Sequence, residues 1–195
     1  ENGNSNLLSY SRHAAENKWG RLYSLGSVGK GMEWYRENLG KVLKNDHCQV
    51  LESFADIDRR AAHKPPGANG LIFYPHFNGA TYSVKKTSNR AVLMGLALSH
   101  DRYDIARALM EGIALDVRYI FDNLNFLSPT EGNLIMTGGA TNSRLWPQII
   151  ADVLGKPVLV PKINDVSSFG AAIIAGKALN WFPSIIQAGQ SFVKA

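Results

Sequence analysis

The chain has 195 residues, 45% of them hydrophobic and 19% charged, with a formal net charge of +5. That is the make-up of a soluble globular domain with a sizeable core, and no apolar run approaches the ~20 residues of a membrane-spanning helix. The basic residues are scattered, with Lys64, Lys85, Lys86 and Arg90 the densest grouping, and no interleaving of aromatic and basic residues points to nucleic acid.

Glu1-Asn2-Gly3-Asn4 carries neither the basic nor the apolar part of a signal peptide. The first residue is not Met, which predicts a chain processed or cut from something longer. Cys48 is the only cysteine, so no internal disulfide forms and a reducing, cytoplasmic setting is expected.

Residues 1–20 are polar and weakly patterned. Residues 22–28 predict a strand, and residues 30–43 a helix carrying Trp34, Leu39 and Val42. Residues 45–70 are mixed, and Pro65-Pro66-Gly67 breaks any element there. An apolar strand follows over residues 70–75 and stops at Pro75. Residues 76–90 are small and polar, which suits a long exposed loop, and loops of that length are functional or disordered. Residues 79–90 are expected to form a mobile loop whose Lys85, Lys86 or Arg90 adds positive charge.

Asp101 is a plausible N-cap for the longest helix, in which Ile105, Leu109, Ile113, Val117, Ile120 and Leu124 keep a helical stripe. Such a helix is about 35 Å long at 1.5 Å per residue. Gly112 sits in its middle, where Gly costs about 1 kcal/mol against Ala, so close packing against another element is expected. A strand over residues 134–136 then runs into Gly138-Gly139, a small polar turn, and a helix over residues 143–154. Residues 158–160 read as a second buried strand. Asp165-Val166-Ser167-Ser168 caps a last major helix rich in Gly and Ala. Strand, helix, strand in this order predicts a parallel βαβ unit.

The Gly138-Gly139 turn is the most informative feature. A strand ending in two glycines lets backbone approach a ligand, and a following helix start suits a phosphate or a ribose oxygen. A tight turn without a ligand explains the same residues. The third glycine of a dinucleotide fingerprint is missing, and no phosphate-binding G-x-x-x-x-G-K-[ST] loop is present. His13, His47, His63, His76 and His100 are scattered, without metal-ligand spacing. Glu111 and Asp116 read as structural, Ser167-Ser168 as a cap, and no complete catalytic constellation is present.

Several stretches in order carry a family resemblance. Trp19 and residues 24–34 resemble a "W-x-x-M-x-V … A-x-x-x-x-W" region. Phe73-Tyr74-Pro75-His76-Phe77-Asn78-Gly79 resembles "F-L-P-Y-L-S-G", and Met94-Gly95-Leu96 with His100 resembles "F-x-G-L-x-x-x-H". Ala106-Arg107-Ala108-Leu109-Met110-Glu111-Gly112 is similar to "A-R-A-V-L-E-G". Thr137-Gly138-Gly139-Ala140-Thr141-Asn142-Ser143-Arg144-Leu145-Trp146 resembles "G-G-G-A-x-S-x-x-W". Residues 151–155 and 170–172 follow at the expected places. Together they resemble the C-terminal domain of the FGGY family of carbohydrate kinases, the xylulose kinase branch most of all.

The resemblance implies an α/β, actin-like ATPase (ribonuclease H-like) domain: a mixed sheet flanked by helices. It implies that residues 1–195 are one domain, the nucleotide-side half of a two-domain sugar kinase. The N-terminal sugar-binding domain, the catalytic aspartate and the first hairpin of this domain would lie before it. The implied nucleotide-binding residues are Gly138, Gly139, Ala140, Asn142, Ser143 and Gly79; no catalytic residue and no metal ligand is expected in this chain. The implied cofactors are ATP and Mg²⁺, and the implied partners are a sugar, the N-terminal domain and a second copy in a homodimer. The reaction would move the ATP γ-phosphate to a sugar hydroxyl, of a pentulose such as xylulose or of gluconate. The chain alone is expected to be inactive. Ala80-Thr81 stand where the branch usually has Glu-Arg, and Ala91 where glycine is usual. The Ala80-Thr81 departure favours the alternative, a non-catalytic nucleotide- or sugar-binding regulatory module of the same fold.

Overall fold

The structure is a computed structural model describing residues 9–15, 17–22, 25, 28–44, 48–79, 90–127, 133–163 and 165–192. The elements run β1 (Ser9–Arg12), β2 (Trp19–Leu22), α1 (Val28–Leu39), β3 (Lys41–Lys44), β4 (Cys48–Leu51) and α2 (Phe54–Ala61). Next come β5 (Ile72–Tyr74), β6 (Val92–Met94), α3 (Arg102–Leu127), β7 (Leu134–Ile135) and α4 (Trp146–Leu154). β8 (Val158–Leu159), α5 (Val166–Ala178) and α6 (Ile185–Phe192) complete the chain. Single 3-10 turns stand at Ala68–Gly70 and Gly139–Asn142.

Among the described residues the strands pair as four two-stranded ladders. Three are antiparallel. The fourth, β7 with β8, is parallel, with Leu134 opposite Val158 and Ile135 opposite Leu159. It is the strand–helix–strand unit expected from the chain order.

The centre of the molecule is α3, 26 residues long. Its sequence keeps an apolar stripe, but over residues 103–114 nearly every position is buried, so this half is enclosed rather than amphipathic. α1, α2, α4 and β5 pack against it. Tyr35 and Met32 from α1, Ile57 and Ala61 from α2, Phe73 from β5 and Trp146 and Ile149 from α4 join Leu109, Met110 and Ile113 in one core. A fully buried aliphatic side chain contributes about 1.5–3 kcal/mol, so this cluster is the main stabilising feature.

Asp101 caps α3 as expected: its Oδ1 accepts the Tyr103 N–H at 2.8 Å and the Asp104 N–H at 3.2 Å. Gly112 has the expected close neighbour. A Cβ there would overlap the Phe73 carbonyl oxygen and lie 3.1 Å from its carbon. Glu111 is structural as expected, accepting the Gly67 N–H and the Arg107 Nε–H.

The strand expected over residues 22–28 falls largely outside the described residues; the strand observed nearby is β2, Trp19–Leu22, paired with β1. Two other expectations differ from the structure. The helix expected over residues 30–43 stops at Leu39. Gly40 follows, and the chain turns into β3, whose alternation is shared with β4. The mixed segment 45–70 contains β4 and the well-formed α2. The loop expected over residues 79–90 falls largely outside the described residues, as do Lys85, Lys86, Ala80 and Thr81.

Candidate functional site

A cavity of about 650 Å³ opens between the first turns of α1, the first half of α2 and the segment joining β7 to α4. Its size suits one small organic ligand. Val28, Gly29, Met32 and Glu33 come from α1, and Phe54, Ala55 and Asp58 from α2. Met110 forms part of the wall from α3, and Thr137, Gly139, Ala140, Asn142, Ser143 and Trp146 close the remaining side.

The two glycines of the turn do different work. Gly138 has φ 90° and ψ −176°, a backbone conformation that only glycine adopts readily. It is the geometric reason the chain leaves β7 and enters the 3-10 turn. Gly139 has no positive φ, and a Cβ there would meet nothing within 4 Å. The missing side chain at 139 therefore leaves space on the cavity side and answers no internal packing need.

The turn is tied down from within. The Thr141 N–H and the Thr141 hydroxyl donate to the Gly138 carbonyl at 3.0 and 2.7 Å, and the Ser143 N–H donates to the Ala140 carbonyl at 3.2 Å. The α-helix expected from residue 143 begins at Trp146, because one turn of 3-10 helix intervenes. Its start offers less to an anion than the sequence suggests. The Trp146 N–H donates to Ser143 Oγ at 2.8 Å and the Arg144 N–H to Asp58 Oδ2 at 3.1 Å. The indole N–H of Trp146 is buried without an acceptor among the described residues.

The lining sets what can bind. Val28, Met32, Phe54, Ala55, Met110, Ala140 and Trp146 make it largely apolar, and its charged members, Glu33 and Asp58, are both acidic. Among the described residues, no Lys or Arg lines it. A polyphosphate inside would meet Asp58, which has no ion-pair partner among the described residues, and Glu33, whose charge Lys30 offsets in part. A flat, neutral ring with a few polar edges meets no like-charge repulsion. Lys30 draws the Glu33 carboxylate aside at 2.5 Å. That contact holds the exposed Lys30 ammonium above its ordinary pKa through the hydrogen bond and charge of Glu33.

Four of the six site residues expected from sequence, Gly139, Ala140, Asn142 and Ser143, line this cavity. Gly138 stands just outside the lining as the bend that presents them. Gly79 is elsewhere: it is buried, donates its N–H to the His76 carbonyl at 3.2 Å, and is absent from the cavity lining. Phe77, two residues before it, packs its ring at a tilt against Trp34 and Phe73. Among the described residues no three His, Cys, Asp or Glu side chains gather to hold a metal ion.

His100 and His76 take structural places. His100 accepts the Ala97 N–H on Nδ1 and faces the Asn69 carbonyl through Nε2, 3.1 Å away. His76 is buried 3.6 Å from Asp116. Sequence reasoning missed the α1 and α2 side of the cavity. The available signal was Asp58, a carboxylate on the face of α2 that Phe54, Ile57 and Ala61 mark as apolar.

Comparison with known proteins agrees with this arrangement. Residues 10–179 match the FGGY family of carbohydrate kinases, C-terminal domain. The chain is 32% identical over 178 residues to the Escherichia coli sugar kinase YgcE, covering 89% of this chain and 36% of that protein. It is 34% identical over 146 residues to a Staphylococcus epidermidis xylulose kinase, covering 73% of this chain and 29% of that one. The chain thus spans about a third of the length of these relatives. In three dimensions it resembles Plasmodium falciparum glycerol kinase, at 23% identity and a TM-score of 0.78, over 96% of this chain and 37% of that one. The fold is accordingly the actin-like fold of these kinases. The chain belongs to the FGGY family of carbohydrate kinases and corresponds to their C-terminal domain.

Proposed function

We propose that this chain is the nucleotide-binding part of an ATP-dependent sugar kinase, and that the cavity at Gly139 receives the adenosine end of ATP. The observation that carries the reading is the cavity itself: largely apolar, acidic at its two charged positions, and bounded by a glycine whose absent side chain faces open space. The relatives named xylulose kinase and sugar kinase support the reaction class. The glycerol kinase that shares the fold was solved with ADP.

In this reading the base and ribose lie against Ala140, Met32 and Trp146, with Asn142 and Ser143 offering polar atoms at the edge. The phosphates point away from Glu33 and Asp58, toward a part of the site outside the described residues. Binding energy won at the adenosine end holds the γ-phosphate in place for attack, the positioning on which phosphoryl transfer depends. Mg²⁺, when bound, spreads the charge of the transferring phosphoryl group; its ligands are to be sought among the phosphates and residues outside this chain. The general base that takes the proton from the sugar hydroxyl, the sugar-binding domain and Gly79's contact with the nucleotide side of the cleft belong to the same proposal. So do a homodimer, a cytoplasmic site of action, and an isolated chain without sugar kinase activity. The acceptor is a sugar hydroxyl of a pentulose such as xylulose, or of gluconate.

The test is Gly139→Val in the full-length protein. A Cβ there meets no protein atom within 4 Å, so the fold should tolerate the substitution, while the valine side chain takes up space assigned to the nucleoside. The expected outcome is a KM for ATP raised about tenfold or more, a sugar KM changed by less than about twofold, and an unaltered melting temperature. A folded variant with an unchanged ATP KM overturns the reading. A kinase assay of the full-length protein on a sugar panel identifies the acceptor, and absence of turnover on every sugar tested favours the non-catalytic module.

A further inference from the structure

Asp58 is 8% exposed and has no ion-pair partner among the described residues. Its neighbours Arg59 and Arg60 turn to Asp56 and Glu52 instead. A buried carboxylate without a cation is costly unless donors satisfy it. Both of its donors come from the turn. The Ser143 hydroxyl, 85 positions along the chain, donates to Oδ1. The Arg144 N–H donates to Oδ2 at 3.1 Å. Ser143 Oγ in turn accepts the Trp146 N–H at 2.8 Å, which joins α2 to the start of α4 beside the cavity.

This chain of bonds has a consequence for the ligand. β7 is only two residues long, and Gly138 has no side chain with which to anchor itself. The Gly139–Asn142 turn is otherwise held by its own short-range bonds. Asp58 supplies two long-range bonds that fix the turn against the core helix layer. We infer that Asp58 is a positioning residue for the nucleotide site: it holds the Gly139–Asn142 turn in the shape that binds, through Ser143 and the Arg144 amide. The inference rests on the nucleotide reading above. Asp58 acts on affinity by keeping the competent conformation populated, since a ligand's apparent affinity falls in proportion to that fraction.

The experiment compares Asp58→Ala, Asp58→Asn, Ser143→Ala and the Asp58→Ala/Ser143→Ala double variant in the full-length protein. Hydrogen exchange is followed without nucleotide, and the dissociation constant for ADP is measured by calorimetry. For Asp58→Ala, exchange over residues 137–146 should rise about tenfold while residues 103–114 stay protected, because only a local opening is released. The ADP dissociation constant should rise about tenfold. Asp58→Asn keeps one good acceptor and should fall between, at about threefold; it carries the comparison if the alanine variant does not fold. The double variant should lose less than the product of the two single losses, because the Ser143 hydroxyl donates to Asp58 and that shared bond is counted in both. A merely structural role would raise exchange across the whole chain and leave the ADP affinity of the folded fraction unchanged, and that overturns the inference. A wild-type protein that binds ADP and an Asp58→Ala variant that binds it equally well overturns this role alone. A wild-type protein that does not bind ADP overturns the nucleotide reading together with it.

Discussion

The glycines of α3 and α5 face different surroundings. Gly112 in α3 lies against the backbone of β5, so close that a Cβ would overlap the Phe73 carbonyl oxygen. Gly170 in α5 faces nothing within 4 Å. Gly176, later in α5, lies against the Phe182 and Trp181 rings of the chain that follows. The same contrast runs through the apolar side chains. Leu109, Ile57 and Tyr35 around α3 are completely covered, whereas Trp181 beside α5 and Trp19 in β2 are 71% and 67% exposed. One region satisfies its apolar surface internally. The other presents Trp181, Leu179 and Ile174 outward.

The sharpest way to break this comparison is a pair of identical substitutions. Gly112→Ala forces a methyl group into the Phe73 backbone and should cost about 3 kcal/mol. Gly170→Ala adds a methyl group in open space and lowers the entropy of the unfolded chain, so it should stabilise by about 0.5–1 kcal/mol. Chemical denaturation of both variants checks the opposite signs; equal effects would mean that α3 and α5 do not differ in packing.

A smaller effect is expected at Asp104, fully buried at the start of α3. It accepts from Lys64 at 3.0 Å, from the Asn69 amide at 2.8 Å and from the Asp101 N–H at 2.8 Å. Burial by itself pushes this carboxyl up, but the backbone, Lys64 and Asn69 bonds outweigh it and hold the group below its ordinary 3.8. A depressed folded-state pKa gives stability that is fully present above the unfolded value. That stability is lost as pH falls through the lower folded value. Asp104→Asn should therefore cost about 2 kcal/mol near neutrality, and its deficit should shrink as the pH falls below the ordinary 3.8 and through the lower folded value. A deficit that does not change with pH would contradict this assignment. Outside the core, Ser184→Ala removes the hydroxyl that accepts the Gln187 N–H at 3.1 Å at the start of α6. It should cost about 1 kcal/mol and lower the helical signal of α6 while the α3 core keeps its protection.

What was legible in the sequence follows the range of the interactions. The cap at Asp101, the close approach at Gly112, the cap at Asp165 and the parallel pairing of β7 with β8 all rest on local chemistry or chain order. The first two glycines of the turn were legible too, though not which one bends the backbone and which one faces the cavity. That distinction depends on φ at Gly138. β1 with β2, and β3 with β4, are pairings of weakly patterned segments, so their partners could not be read locally. α2 and α6 carried signals that went unread: Ser53 followed by Asp56, and Ser184 followed by Gln187, are the Ser-x-x-acid or amide pattern of a helix start. The α2 wall of the cavity carried only a faint signal, for another reason. Asp58 sits among Asp56, Arg59 and Arg60 and looks like one more surface charge until Ser143 and Arg144 are folded onto it.

The central claim is that the cavity beside Gly139 takes the adenosine end of a nucleotide. A crystal structure of the full-length protein with ADP tests it most directly. The account predicts the adenine and ribose between Met32 and Ala140, in contact with the Gly139 backbone, and the phosphates directed away from Glu33 and Asp58. ADP bound elsewhere with this cavity empty, or phosphates seated against those two carboxylates, would contradict it.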